Sequence, residues 1–195
     1  MVRRLAVFIL ALTLLGGASC KKAGSDPVDE PDSGDYYIRF KVNGETHAYA
    51  GTGLVYAFSM RLSPTGAHQL LIQGRLQDDQ SRNAVFFAVT DAAEVQLGRE
   101  YRLVDWLEWP EHSQSISSVF GSYYGADAKQ YFAQLRQMPS LPFEVKDAAT
   151  VRFTEISERS LKGTFIMKAY STYPERAEAA ITEGEFYVPI MASSL

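Results

Sequence analysis

The chain holds one cysteine, three histidines and two tryptophans among 195 residues, and each shortage excludes something. A lone thiol closes no disulfide within the chain. His47, His68 and His112 lie far apart and form no H-x-x-x-H pair, so the ligand spacing of a structural zinc site is missing. Basic charge is also short: 19 Lys plus Arg stand against 23 Asp plus Glu, a net charge of −4, which argues against a nucleic-acid surface. There is no G-x-S-x-G elbow, and Gly121-Ser122-Tyr123-Tyr124-Gly125, read as a flexible turn, lacks the lysine of a phosphate loop. The acidic loops at Asp78-Asp79 and Asp147 do not have the spacing of a calcium loop. No metal and no cofactor are expected.

Long apolar runs are missing too. Residues 5–15 form the longest, broken only by Thr13, and that is about half of the ~20 residues a helix needs to cross a bilayer. Met1-Val2-Arg3-Arg4 places positive charge before this run, and Gly16-Gly17-Ala18-Ser19 places small residues after it, immediately before Cys20. The arrangement is that of a secretory signal, residues 1–20. Small residues directly before a cysteine resemble the lipobox of bacterial lipoproteins, although Gly17 stands where that pattern usually has Leu, Val or Ile. The resemblance implies that Cys20 is acylated and becomes the first residue of the mature chain. Two or more acyl chains anchor stably, since each buried methylene contributes about 0.8 kcal/mol. Residues 21–34, KKAGSDPVDEPDSG, are polar and rich in Pro, Gly and Asp, too poor in apolar groups to fold, and read as a disordered linker. The expected location is the outer membrane, lipid-anchored, with cell surface and periplasmic face both open.

With 46% hydrophobic and 12% aromatic residues the chain has material for a sizeable core, and residues 35–195 read as one β domain. Ile38, Phe40 and Val42 alternate with Arg39 and Lys41, and Asn43-Gly44 follows, the strongest short hairpin signal. In that register Val42 faces Glu45, Phe40 faces His47 and Ile38 faces Tyr49, so His47 covers an apolar face rather than a metal. Residues 54–62 and 69–76 form a second hairpin, with Leu70, Ile72 and Leu76 inward. Residues 84–90 are apolar on both faces, as in a covered central strand. A short strand lies at 101–104, and three more at 150–156, 161–170 and 179–190. Residues 127–138 place Tyr131, Phe132, Leu135 and Met138 on one helical stripe between a capping Asp127 and Pro139. The fold class is all-β: an antiparallel β-sandwich or incomplete barrel of eight or nine strands with one short helix.

Phe40-Lys41-Val42-Asn43-Gly44, Gly98-Arg99-Glu100-Tyr101-Arg102-Leu103, Leu161-Lys162-Gly163-Thr164-Phe165 and Ile181-Thr182-Glu183-Gly184-Glu185-Phe186 occur in this order. The set resembles small lipoprotein domains of unknown function from Bacteroidota, which run F-x-V-N-G, G-x-Y-x-L, G-T-F and I-T-x-G-x-F. The resemblance implies a β-sheet lipoprotein and supplies no activity.

Trp106 and Trp109, with Asp105 and Glu108 among them and Tyr123-Tyr124 further on, form the most suggestive aromatic cluster. Exposed rings beside carboxylates stack on sugars, and aromatic residues are enriched at protein interfaces; buried, they are ordinary core. A glycoside hydrolase needs a carboxylate pair ~5 to ~9.5 Å apart across a cleft, which Asp105, Glu108 and Glu111 do not declare from sequence. The expected function is a non-enzymatic binding module held at the membrane by its lipid, with a glycan or an envelope protein as partner. A structural or accessory subunit of an envelope complex is the alternative, ahead of a glycan-acting hydrolase.

Overall fold

Asn43 and Gly44 take φ values of 50° and 90°, the positive pair that a two-residue type I′ turn requires, and the first hairpin closes there. The computed structural model describes residues 36–51, 53–104, 118–134, 147–171 and 175–191, all within the compact unit Asp32–Leu195. Among them the strands are β1 (Tyr37–Val42), β2 (Glu45–Ala50), β3 (Val55–Arg61), β4 (His68–Arg75), β5 (Ala84–Asp91), β6 (Glu100–Arg102), β7 (Ser118–Tyr124), β8 (Gln130–Ala133), β9 (Ala148–Ile156), β10 (Ser160–Ser171) and β11 (Ala177–Pro189). The hairpin register is the expected one: Val42 opposite Glu45, Phe40 opposite His47, Ile38 opposite Tyr49.

Hydrogen bonding orders the strands β2-β1-β11-β10-β8-β7-β5-β4-β3, with β9 branching from β10 and β6 from β9. Every neighbouring pair is antiparallel. The path curls until its last strand returns to the end of β11. There Ala57 of β3 forms a parallel bridge with Ile190, and the Met191 N–H donates to the Ala57 carbonyl at 2.8 Å. The result is an all-β, nearly closed barrel, as the alternating pattern implies.

Alternation along each strand fills the interior. Ile38, Phe40, Val55, Ile72, Phe87, Val151, Phe153, Leu161, Phe165, Met167 and Phe186 are buried. Phe165 and Phe87 touch with ring centroids 4.3 Å apart, and Phe40 lies 5.9 Å from Phe165. Two glycines of β10 and β11 make room for these rings. Gly163 pairs directly with Phe186, and Phe165 with Gly184. A Cβ on Gly163 would overlap the Arg152 carbonyl and the Phe186 ring, and one on Gly184 would sit 2.5 Å from the Phe165 carbonyl oxygen. The glycines of the G-T-F and I-T-x-G-x-F segments therefore each face the other segment's phenylalanine. Beside them Glu183 has φ 52°, and the β1–β11 register shifts there, a bulge that bends the strand.

Three readings need correction. The helical stripe is not a helix where it is described: Gln130–Ala133 is β8, paired with β7. Residues 135–138 lie outside the described residues. Tyr131 turns toward Tyr123 at 5.9 Å and Phe132 toward Phe120 at 6.4 Å, on opposite faces of a strand, so two adjacent aromatics satisfied period two as well as a helical stripe. Asp127 receives the Lys129 N–H at 3.0 Å in a tight turn, with Ala128 at φ 64°, and caps no helix. The turn assigned to residues 121–125 is also strand, since Gly121 through Tyr124 belong to β7. Gly121 faces the interior, where a Cβ would overlap the Met167 sulfur. Finally, Leu76 is 53% exposed rather than inward.

Candidate functional site

The inward face of β3 begins apolar, with Val55 and Ala57 buried, and turns polar at Ser59 and Arg61. Pairing continues this change across the sheet. Ala57 opposes Ile72, Ser59 opposes Leu70, and Arg61 opposes His68, which in turn opposes Asp91 of β5. One end of the barrel therefore carries a row of charged and polar side chains, Arg61, His68 and Asp91, where the layers above are hydrocarbon. A cavity of about 760 Å³ opens at this end, within the range of small-ligand sites. Leu70, Leu161, Ile190 and Val95 give it an apolar lining, and Arg61, His68, Glu94 and Glu158 supply its charged groups.

One wall is held by a buried carboxylate. Asp91, 3% exposed, accepts from the Arg99 guanidinium at 2.8 Å and from the Ala93 N–H at 3.1 Å. Arg99 lies over the Tyr101 ring at 5.0 Å, and the Tyr101 hydroxyl accepts the Gln96 N–H at 2.8 Å. Burial raises the Tyr101 hydroxyl above the usual phenol range; the Gln96 N–H opposes this and the Asp91 carboxylate adds to it. These contacts pin the segment between β5 and β6, which brings Glu94 and Val95 to the cavity. The opposite wall is the β9–β10 turn, where the Ser157 hydroxyl accepts the Ser160 N–H at 2.9 Å and the Arg159 carbonyl takes the Ile190 N–H at 2.7 Å.

Toward the β1–β2 turn the interior is aromatic. His47 stacks on Phe40 at 5.5 Å and meets Tyr123 edge-on at 6.1 Å. Tyr49 is buried, and its hydroxyl has no hydrogen-bond partner among the described residues. Burial, with Tyr123 adding to it, pushes this hydroxyl well above the usual phenol range. Burial likewise raises Tyr123, helped by Tyr131 and Glu45, and raises Tyr131, helped by Asp127.

The aromatic residues singled out from sequence fare differently. Tyr123 points into the barrel and is 5% exposed. Its neighbour Tyr124 projects to the outer face, where its hydroxyl accepts the Gln130 side-chain amide. The two rings thus share no surface. Trp106, Trp109, Asp105, Glu108 and Glu111 lie outside the described residues, as does Cys20. Among the described residues no group of three or more His, Cys, Asp or Glu is placed to hold a metal, and no helix is long and apolar enough to cross a membrane. Of the cavity residues the sequence pointed to His68, only as a histidine without metal spacing, and to Leu70, as an inward position; none was singled out as a binding residue. The available signal was the break in β3, where Ser59 and Arg61 occupy inward positions that Val55 and Ala57 fill with hydrocarbon.

No family model, no curated protein and no solved structure matches the chain.

Proposed function

We propose that the protein is a lipid-anchored, non-enzymatic binding module of the bacterial outer envelope, tethered through Cys20, and that the cavity at the charged end of the barrel is its binding site. The observation that carries the reading is the change of the inward face from hydrocarbon to Ser59, Arg61 and His68 over an apolar-lined space. An interior built only for stability closes on itself; this one stops short, and the groups left at its mouth suit a ligand with an apolar body and polar flanks. Among the described residues no Phe, Tyr or Trp lines the space, and the unpaired edge of β3 beside it favours a protein segment as the envelope partner.

The test is nuclear magnetic resonance of the full chain, titrated with purified envelope glycans and with peptides. Shifts confined to Arg61, His68, Leu70 and Glu94 with any of these support the reading. Shifts located elsewhere, or turnover of a glycan, overturn it. Radiolabelled palmitate tests the tether: it is expected in the wild-type chain and not in Cys20→Ala.

A further inference from the structure

The edge of β3 says what kind of partner the cavity takes. A strand's main-chain groups point alternately to its two neighbours. Ala57 gives its carbonyl to Met191 on the seam side, so Ser59 and Arg61 direct their N–H and C=O groups the same way. Beyond Ala57 no described strand is there to receive them: β3 pairs only with β4, and its contact with the end of β11 is the single bridge at Ala57. Among the described residues the β3 edge is therefore unpaired beside the cavity. Besides Leu76, Leu97 and Ile166, four large apolar side chains are exposed among the described residues, and these four lie on the elements around the same opening. Phe58 and Met60 on the outer face of β3, Ile156 at the end of β9 and Met191 after β11 are 37%, 38%, 38% and 39% exposed. Unpaired edge groups and exposed hydrocarbon together are what a soluble protein ordinarily avoids unless another strand covers them.

We propose that an extended peptide segment of a partner protein adds to the β3 edge at Ser59 and Arg61, filling the seam as an extra strand. The proposal rests on the cavity being a binding site and names its occupant. Alternate side chains of the added strand point inward to Leu70, Leu161 and Ile190, and outward beside Phe58 and Met60. Both faces thus call for aliphatic or β-branched residues. Glu94 and Glu158, which form no ion pair among the described residues, favour a basic residue at the end of the segment.

The experiment uses the full chain and a labelled probe, acetyl-Lys-Val-Thr-Val-Thr-Val-amide. Ser59→Pro removes the N–H that faces the seam and no N–H that the fold uses, so it tests main-chain pairing while the ladder to β4 stays intact. Loss of one main-chain bond of about 1 kcal/mol corresponds to about a five-fold weaker probe. A probe methylated on alternate backbone nitrogens repeats the test without altering the protein: one methylation phase abolishes binding and the other does not. Equal binding of both methylated probes and of Ser59→Pro overturns the strand proposal and leaves the cavity as a small-molecule site. Failure of every probe to perturb the cavity, while a glycan does, removes the peptide and retains the site; failure of all ligands removes both. If a chain ending at Met191 binds the probe more than ten-fold tighter, residues 192–195 are the resident occupant and the partner segment is refuted.

Discussion

Replacing Tyr49 by Phe is expected to stabilise the protein. The ring is 2% exposed and meets Phe40 edge-on at 5.4 Å, contacts that phenylalanine keeps. What the substitution removes is a buried hydroxyl with no hydrogen-bond partner among the described residues, and such a group costs about 1–3 kcal/mol. For a domain of this size each kcal/mol moves the melting temperature by about 2–4 °C, so the variant is expected to melt about 2–12 °C higher. Alkali supplies an independent check. Burial first, and Tyr123 second, raise the Tyr49 hydroxyl above its ordinary value of 10.0, so the folded chain keeps a proton that the unfolded chain releases. Its contribution is intact below pH 10 and is lost above it at about 1.4 kcal/mol per pH unit for this one group. Tyr49→Phe therefore loses stability less steeply than wild type between about pH 10 and pH 11. Urea unfolding followed by circular dichroism at a series of pH values measures both effects. A variant less stable at neutral pH, or one with the wild-type alkaline slope, would mean that the hydroxyl is bound to an internal water, and the reasoning would be refuted.

Gly184→Ala places a methyl against the Phe165 carbonyl and ring and is expected to cost about 1–3 kcal/mol by overpacking. Gly44→Ala meets no atom within 4 Å but keeps a φ of 90°, so its cost of about 1–2 kcal/mol is backbone strain; thermal melts of the two variants, each repeated with asparagine as the substitute, separate the causes, because asparagine tolerates the left-handed turn and not the crowded strand. Asp91→Ala deletes the acceptor for Arg99 and Ala93 and is expected to cost about 1.5–3 kcal/mol. The same variant frees the segment carrying Glu94, so amide hydrogen exchange at residues 92–99 should accelerate more than in β10, and equal acceleration in both would contradict the clamp. Glu185→Gln breaks an ion pair with Arg39 whose side chains are 44% and 58% exposed, and the melting temperature at physiological salt should not move.

Much of the fold was legible because its strands obey period two where it matters. Ile38, Phe40 and Val42 alternate cleanly before Asn43-Gly44, and both register and turn follow. Leu161, Gly163, Phe165 and Met167 repeat the device on β10. Legibility ended where a strand lacked an apolar face of its own. In β7 the inward positions are Val119, Gly121 and Tyr123, and Gly121 is required by Met167 on another strand, a partner that no local pattern announces. Tyr131 and Phe132 were misread because two neighbouring rings fit a helix stripe or the two sides of a short strand equally well. On β3 the larger apolar residues Tyr56, Phe58 and Met60 face outward while Val55 and Ala57 face in. Size is a poor guide at a seam, where small inward residues admit the strands opposite. The site itself was hidden for the same reason, since Arg61, His68 and Asp91 meet only through cross-strand pairing.

The first hairpin has a further consequence, for timing. Its strand β1 is stitched to β11, and Arg39 reaches Glu185 across 146 positions of sequence. Ile38 and Phe40 thus have no finished home until almost the whole polypeptide has been made. A chain whose opening strand waits for its closing one folds late and slowly, with long-range pairing as its final act.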